Sequence, residues 1–132
     1  HGVAIGFYTA GSNYLTARAY GVGDIASSIA ISDTNWHHVA LVRYGTDLRL
    51  YIDGVSAGYK TSSNAVANSS LKFSVGKDGE EKYNLVFNGW IEEFRLSKGI
   101  ARWTGNFTPP TAAYGLASGG VSGVFLSDYG VM

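Results

Sequence analysis

No cysteine occurs in the 132 residues, and proline occurs only twice. Without cysteine there are no disulfide staples and no thiolate chemistry. Small secreted eukaryotic domains often carry disulfides, so their absence points to a microbial, viral or cytosolic setting without excluding secretion. Charge is scarce as well: charged residues make up 15% of the chain, and ten basic residues cancel ten acidic ones. Such a balance offers no electrostatic footprint for nucleic acid and no basic patch for anionic lipid. No apolar run approaches the ~20 residues of a membrane-spanning helix, so membrane insertion is not expected. The chain opens at His1, with neither an initiator Met nor a charged-then-apolar leader. No targeting signal is therefore expected, and the sequence reads as a fragment or an incompletely known one.

What is present is apolar and turn-rich. Hydrophobic residues account for 45% and aromatics for 14%, with 18 glycines, which argues against disorder and for one domain with its own core. Helical periodicity is nearly absent. Alternation with period two runs through the chain, broken by Gly, Asn, Asp and Ser clusters, the pattern of an all-β protein.

Two regions specify a register. Strands over Val3–Thr9 and Asn13–Tyr20, joined by Ala10-Gly11-Ser12, pair Val3 with Ala19, Ile5 with Ala17 and Phe7 with Leu15 on an apolar face. The other face receives Ala4 with Arg18, Gly6 with Thr16 and Tyr8 with Tyr14. In the middle, Trp36–Tyr44, Asp47–Ile52 and Val55–Thr61 form a meander through Gly45-Thr46 and Asp53-Gly54. Asp-Gly between apolar strands predicts a type I′ turn. Direct pairing across it sets Ile52 against Val55, Leu50 against Ala57 and Leu48 against Tyr59. The polar face then has Tyr51 with Ser56, Arg49 with Gly58 and Asp47 with Lys60. Further on, Ser70–Gly76 alternates as a strand and Asp78–Lys82 is a charged loop. Asn84–Ser97 predicts a long strand or a bulged pair bent at Gly89. Ser97–Trp103 predicts one helical turn that presents Ile100 and Trp103 to the core, and Thr108-Pro109-Pro110 ends that element. The glycine-rich tail, with an apolar stretch at Val121–Leu126, is a closing strand or the start of a neighbouring region. These elements predict an antiparallel sandwich or barrel.

The run Trp36-His37-His38-Val39-Ala40-Leu41-Val42-Arg43, followed by Leu48-Arg49-Leu50-Tyr51-Ile52-Asp53-Gly54-Val55, resembles the centre of laminin-G-like, concanavalin A-like jelly-roll domains. Phe87–Ser97 resembles the closing strand of the same family. Lys98–Pro110 is similar to versions common in bacteriophage tail and virion proteins and in bacterial surface proteins. The resemblance implies an all-β antiparallel β-sandwich of the jelly-roll type over residues 1–111, lacking some opening strands, with residues 112–132 as a separate glycine-rich segment. It implies the fold more specifically than the function, because the family includes glycan binders, protein-binding modules and architectural domains.

Candidate chemistry is sparse. His37 and His38 are adjacent on a strand and point to opposite faces, so they cannot share a metal ion. Glu92 and Glu93 also alternate faces, whereas a jelly-roll glycoside hydrolase needs two carboxylates ~5–9.5 Å apart on one face. There is no Gly-x-Ser-x-Gly elbow and no phosphate-binding loop. The resemblance implies a calcium option, with Asp24, Asp33, Asp78, Glu80 and Asn84 as loop candidates bearing hard oxygen ligands. Asn68-Ser69-Ser70 and Asn106-Phe107-Thr108 match the glycosylation pattern, with meaning only in a secreting eukaryote.

Aromatic display gives the best functional lead. Tyr8, Tyr14 and Tyr20 share a predicted outward face with Thr16 and Arg18, a combination suited to the apolar face and hydroxyl rim of a sugar ring. Burial of that face against other strands or a partner is the bland alternative. Arg49 beside Tyr51 forms a second, smaller candidate. The expectation is a non-enzymatic recognition or structural module on a virion or extracellular surface, binding glycans or proteins of a larger assembly, as a homo-oligomer or otherwise. A purely architectural assembly domain is the alternative, and a glycoside hydrolase a third.

Overall fold

The computed structural model describes the backbone of residues 3–6, 13–67, 74–77, 86–113 and 129–131, with side chains for all of these except 3–6 and 129–131. Two antiparallel sheets contain the regular structure. The first has the order β1-β2-β3, from Val3–Gly6, Tyr14–Ala19 and Gly23–Ala30. The second has the order β6-β5-β4-β8-β7, from Val55–Thr61, Asp47–Ile52, His37–Tyr44, Tyr129–Val131 and Ile91–Glu92. The result is an all-β sandwich, and no helix occurs among the described residues.

Alternation decides which side chains meet between the sheets. Leu15, Ala17, Ala19 and Ile25 from the first sheet join Val39, Leu48, Leu50, Ile52 and Ala57 from the second in one buried cluster. Full burial of a side chain such as Leu50 stabilises by about 1.5–3 kcal/mol. The sheets come closest where β3 meets β6. Ser28 there donates from Oγ to the Ala57 carbonyl at 3.0 Å, and a Cβ on Gly58 would lie 2.6 Å from Ile25 Cγ2.

The first hairpin has the expected register: Val3 opposes Ala19, Ala4 opposes Arg18, Ile5 opposes Ala17 and Gly6 opposes Thr16. The proposed pairs of Phe7 and Tyr8 lie outside the described residues. β3 was not anticipated. Its pairing with β2 is irregular between Tyr14 and Thr16, and buried Ser27 repairs the gap. Ser27 Oγ accepts the Leu15 N–H at 3.0 Å and donates to the Ile29 carbonyl at 2.8 Å. A hydroxyl thereby replaces lost ladder partners, as buried backbone groups require.

The central meander holds at its turns and shifts between them. Asp53 and Gly54 both have positive φ, 52° and 77°, as the type I′ expectation requires. Ile52 opposes Val55 and Tyr51 opposes Ser56, but Leu50 then opposes Gly58, Arg49 opposes Tyr59, Leu48 opposes Lys60 and Asp47 opposes Thr61. Ala57 is the extra residue of a bulge. The expected pairs of Leu50 with Ala57, Leu48 with Tyr59, Arg49 with Gly58 and Asp47 with Lys60 are therefore replaced. Tyr59 joins Arg49 on the outer face.

Two later expectations are corrected. The long strand after Asn84 is, among the described residues, an isolated Lys77–Val86 bridge and the short β7, which ends where Glu93 turns to φ 50°. No helical turn forms over Ser97–Trp103, because Gly99 takes φ 81°, outside the helical region. Ile100 stands exposed instead of entering the core. At the other end, β8 lies between β4 and β7, with His37 opposite Val131 and Ile91 opposite the same residue. Residues 70–73 and Val121–Leu126 lie outside the described residues.

Candidate binding face

The outer face of the five-stranded sheet is built in rows. Register places Tyr44, Asp47 and Thr61 side by side, then Val42, Arg49 and Tyr59, then Ala40, Tyr51 and Ser56, with His38 at the turn end. A strap over residues 101–110 crosses this face at the turn end. The Phe107 N–H donates to the Gly54 carbonyl at 2.9 Å, and the Ser56 N–H donates to Asn106 Oδ1 at 3.0 Å. Gly54 is required there, since a Cβ would overlap the Phe107 carbonyl oxygen. Trp103 and Phe107 stack with centroids 3.9 Å apart and planes within 7°. His38 meets both rings edge-on at 5.4 Å, and Tyr51 meets Phe107 at 5.4 Å.

The strap divides the face. Tyr51, beneath it, is wholly buried, and its hydroxyl has no hydrogen-bond partner among the described residues. Beyond the strap, Val42, Tyr44, Asp47, Arg49, Trp103 and Thr104 line a shallow open recess. Tyr44 and Tyr59 are 66% and 56% exposed. The Arg49 guanidinium lies 5.3 Å from the centroid of the Tyr59 ring, and its contact with Asp47 is long, 3.4 Å. Tyr59 donates its hydroxyl to Asp47 Oδ1 at 3.1 Å and shares a 2.6 Å hydrogen bond with Thr61. Arg49 thus retains N–H donors for water or a ligand beside a carboxylate and aromatic rings. The pairing of Arg49 with Tyr51 as a binding site is corrected: burial removes Tyr51, and the exposed aromatic beside Arg49 is Tyr59.

The opposite outer face, on the three-stranded sheet, carries the first candidate set. Tyr14 is 47% exposed, Thr16 and Tyr20 are half-buried, and Tyr8 lies outside the described residues. Arg18 is committed: Nε and one terminal nitrogen each donate to Asp24 at 2.6 Å, and its guanidinium lies 5.7 Å from the Tyr20 centroid. The hydrogen bond from Arg18, with its charge, holds the Asp24 carboxyl below its ordinary range. Both Asp24 oxygens are therefore occupied by a cation, which unsuits them for the proposed calcium role. Asp33 accepts the Asn35 N–H at 2.8 Å and contacts His37 at 2.9 Å. No group of three or more metal-ligating side chains converges among the described residues, and Asp78, Glu80 and Asn84 lie outside them. Glu92 and Glu93 are both exposed.

Sequence reasoning missed one cluster. The His37 ring lies between Asp33 and Asp53, with Nε2 at 2.9 Å from one and Nδ1 at 2.8 Å from the other. Burial works against the proton on this ring, but hydrogen bonds and charge from Asp53 and Asp33 outweigh it, and the imidazole titrates above its ordinary range. The four-residue spacing of Asp33 and His37 was a faint signal. Asp53 was legible only as a turn residue.

A family model described as the concanavalin A-like lectin/glucanases superfamily matches residues 2–102. Neither the curated proteins nor the solved structures yield a match.

Proposed function

The chain belongs to the concanavalin A-like lectin/glucanase superfamily, and from that premise we propose that it is a non-catalytic recognition module that docks a saccharide on the outer face of its five-stranded sheet. The observation that carries this is the recess in which Trp103 and Tyr44 flank Arg49 and Asp47. Aromatic faces suit the apolar side of a sugar ring, while a guanidinium donor and a carboxylate acceptor suit its hydroxyls. An extracellular or virion surface, as in a phage tail or fibre, is the setting in which we place it, with glycans of the recognised surface as partners. Binding is shallow and involves no covalent chemistry.

A broad glycan array, run with and without calcium, tests this directly. We expect weak binding that Arg49→Ala and Trp103→Ala each reduce by about tenfold, the loss of one good polar or stacking contact. Loss on Tyr14→Ala with Arg49→Ala unaffected would move the site to the three-stranded sheet. A clean negative across the array would remove the saccharide reading.

Exposed apolar side chains favour a second reading, an architectural domain packed in an assembly. Trp90 is 70% exposed, Ile100 61% and Leu96 53%, apolar side chains of the kind a partner surface would cover. Sedimentation separates the two, because a stable monomer at high concentration counts against assembly through identical copies.

A further inference from the structure

His37 is held by acceptors at both ring nitrogens. Nδ1 lies 2.8 Å from Asp53 Oδ2 and Nε2 lies 2.9 Å from Asp33 Oδ1. An ionised carboxylate can only accept, so both nitrogens must donate, and a neutral imidazole has a single N–H. The contacts are those of an imidazolium. Among the described residues, Asp33 and Asp53 are the charged groups that contact the ring. Thr34, Asn35 and Trp36 of the same loop do not titrate, and neither does Val131, its register partner on β8.

Asp53 passes this restraint into the turn. Its second oxygen accepts the His38 N–H at 2.9 Å, and its own N–H donates to the His38 carbonyl at 2.8 Å. These bonds hold Asp53 in a left-handed conformation, φ 52°, that non-glycine residues adopt at a cost. The next residue, Gly54, supplies the carbonyl on which Phe107 is seated, and Trp103 stacks on Phe107.

We propose that His37 is a positioning residue for the binding face: as an imidazolium it fixes the Asp53–Gly54 turn, and the seat of the strap that carries Trp103 loosens when that proton is lost. Deprotonation leaves one carboxylate facing a bare ring nitrogen, so either the Asp33 loop or the turn must move. A pH-dependent affinity for ligand follows only through the saccharide reading above. Seating of the strap does not depend on it.

The experiment therefore uses the whole chain without any glycan. Ring-nitrogen NMR of His37 and amide exchange of Phe107 are followed together from roughly pH 5 to 9, the window around histidine titration, with intrinsic exchange divided out. We expect both ring nitrogens protonated at neutral pH. Protection of the Phe107 amide should fall about tenfold along the titration curve of His37, as befits loss of a charge-assisted contact. In Asp33→Asn the ring needs only one donor, so both curves should move together to lower pH. Flat Phe107 protection through the His37 titration overturns the proposal, as does a bare ring nitrogen in the acid half of the range. If Asp33→Asn does not fold, coincidence or separation of the two wild-type curves decides.

Discussion

Tyr51 takes a hydroxyl into the covered part of the five-stranded sheet, where it has no partner among the described residues. A buried hydroxyl left unsatisfied costs rather than contributes. Tyr51→Phe should therefore leave stability unchanged or raise it by up to ~1 kcal/mol, measured as a urea midpoint. A loss above ~1 kcal/mol would reveal a hydrogen bond to the hydroxyl. Gly54 makes the opposite case. It combines a positive φ with a space that the Phe107 carbonyl already fills, so Gly54→Ala should cost about 3 kcal/mol or more. Gly45 has a similar φ of 59° with nothing within 4 Å of its added Cβ. Gly45→Ala should cost only about 1 kcal/mol, the backbone strain alone. The difference between the two glycines measures how firmly the strap is seated.

Among the elements, the bulge in β6 changes the function most. Direct pairing puts Tyr59 inside with Leu48 and leaves Asp47 to Lys60. One extra residue at Ala57 reverses this, bringing Tyr59 to Arg49 and Asp47 on the outer face. The face that forms the recess is thus a consequence of a two-against-one pairing that composition does not announce. Gly58 stands at the bulge, where a side chain would strike Ile25 Cγ2 at 2.6 Å and the Ala26 carbonyl oxygen at 2.8 Å. Gly58→Ala should destabilise by about 2 kcal/mol through overpacking between the sheets. It should also weaken any ligand binding that depends on Tyr59. An unchanged urea midpoint would mean that β3 and β6 are less closely packed.

For the whole molecule, the shifted Asp24, Asp33 and His37 among the described residues shape the pH profile of stability. Arg18 holds Asp24 low, while the Asn35 N–H and then His37 hold Asp33 low. Depressed carboxyls contribute stability that is present above their unfolded values of about 4 and lost as pH falls through their folded values. His37 is raised, so its contribution is complete below about 6.5 and is lost as pH rises through its folded value. Both sets are fully engaged between roughly pH 4 and 6.5, where the urea midpoint should be highest. A midpoint that climbs steadily from neutral to alkaline pH would contradict this. High salt should flatten the acid limb, because Asp24 and Arg18 are partly solvent-exposed and screened.

The local pattern of residues determined the all-β class, the register of the first hairpin and the positive-φ turn at Asp53-Gly54. Period-two alternation and turn chemistry are written in neighbours one to a few positions apart, and they need no distant partner to be read. Tertiary structure alone decided which part of each face is covered. Alternation sorted Tyr51 and Arg49 correctly to one side of the sheet, but only the docked strap buries the first and leaves the second open. Likewise His37 reads as a strand residue until the fold brings Asp33 and Asp53 to its two nitrogens. Side-chain direction is a property of the strand, whereas burial and electrostatic partnership depend on which segments folding brings together.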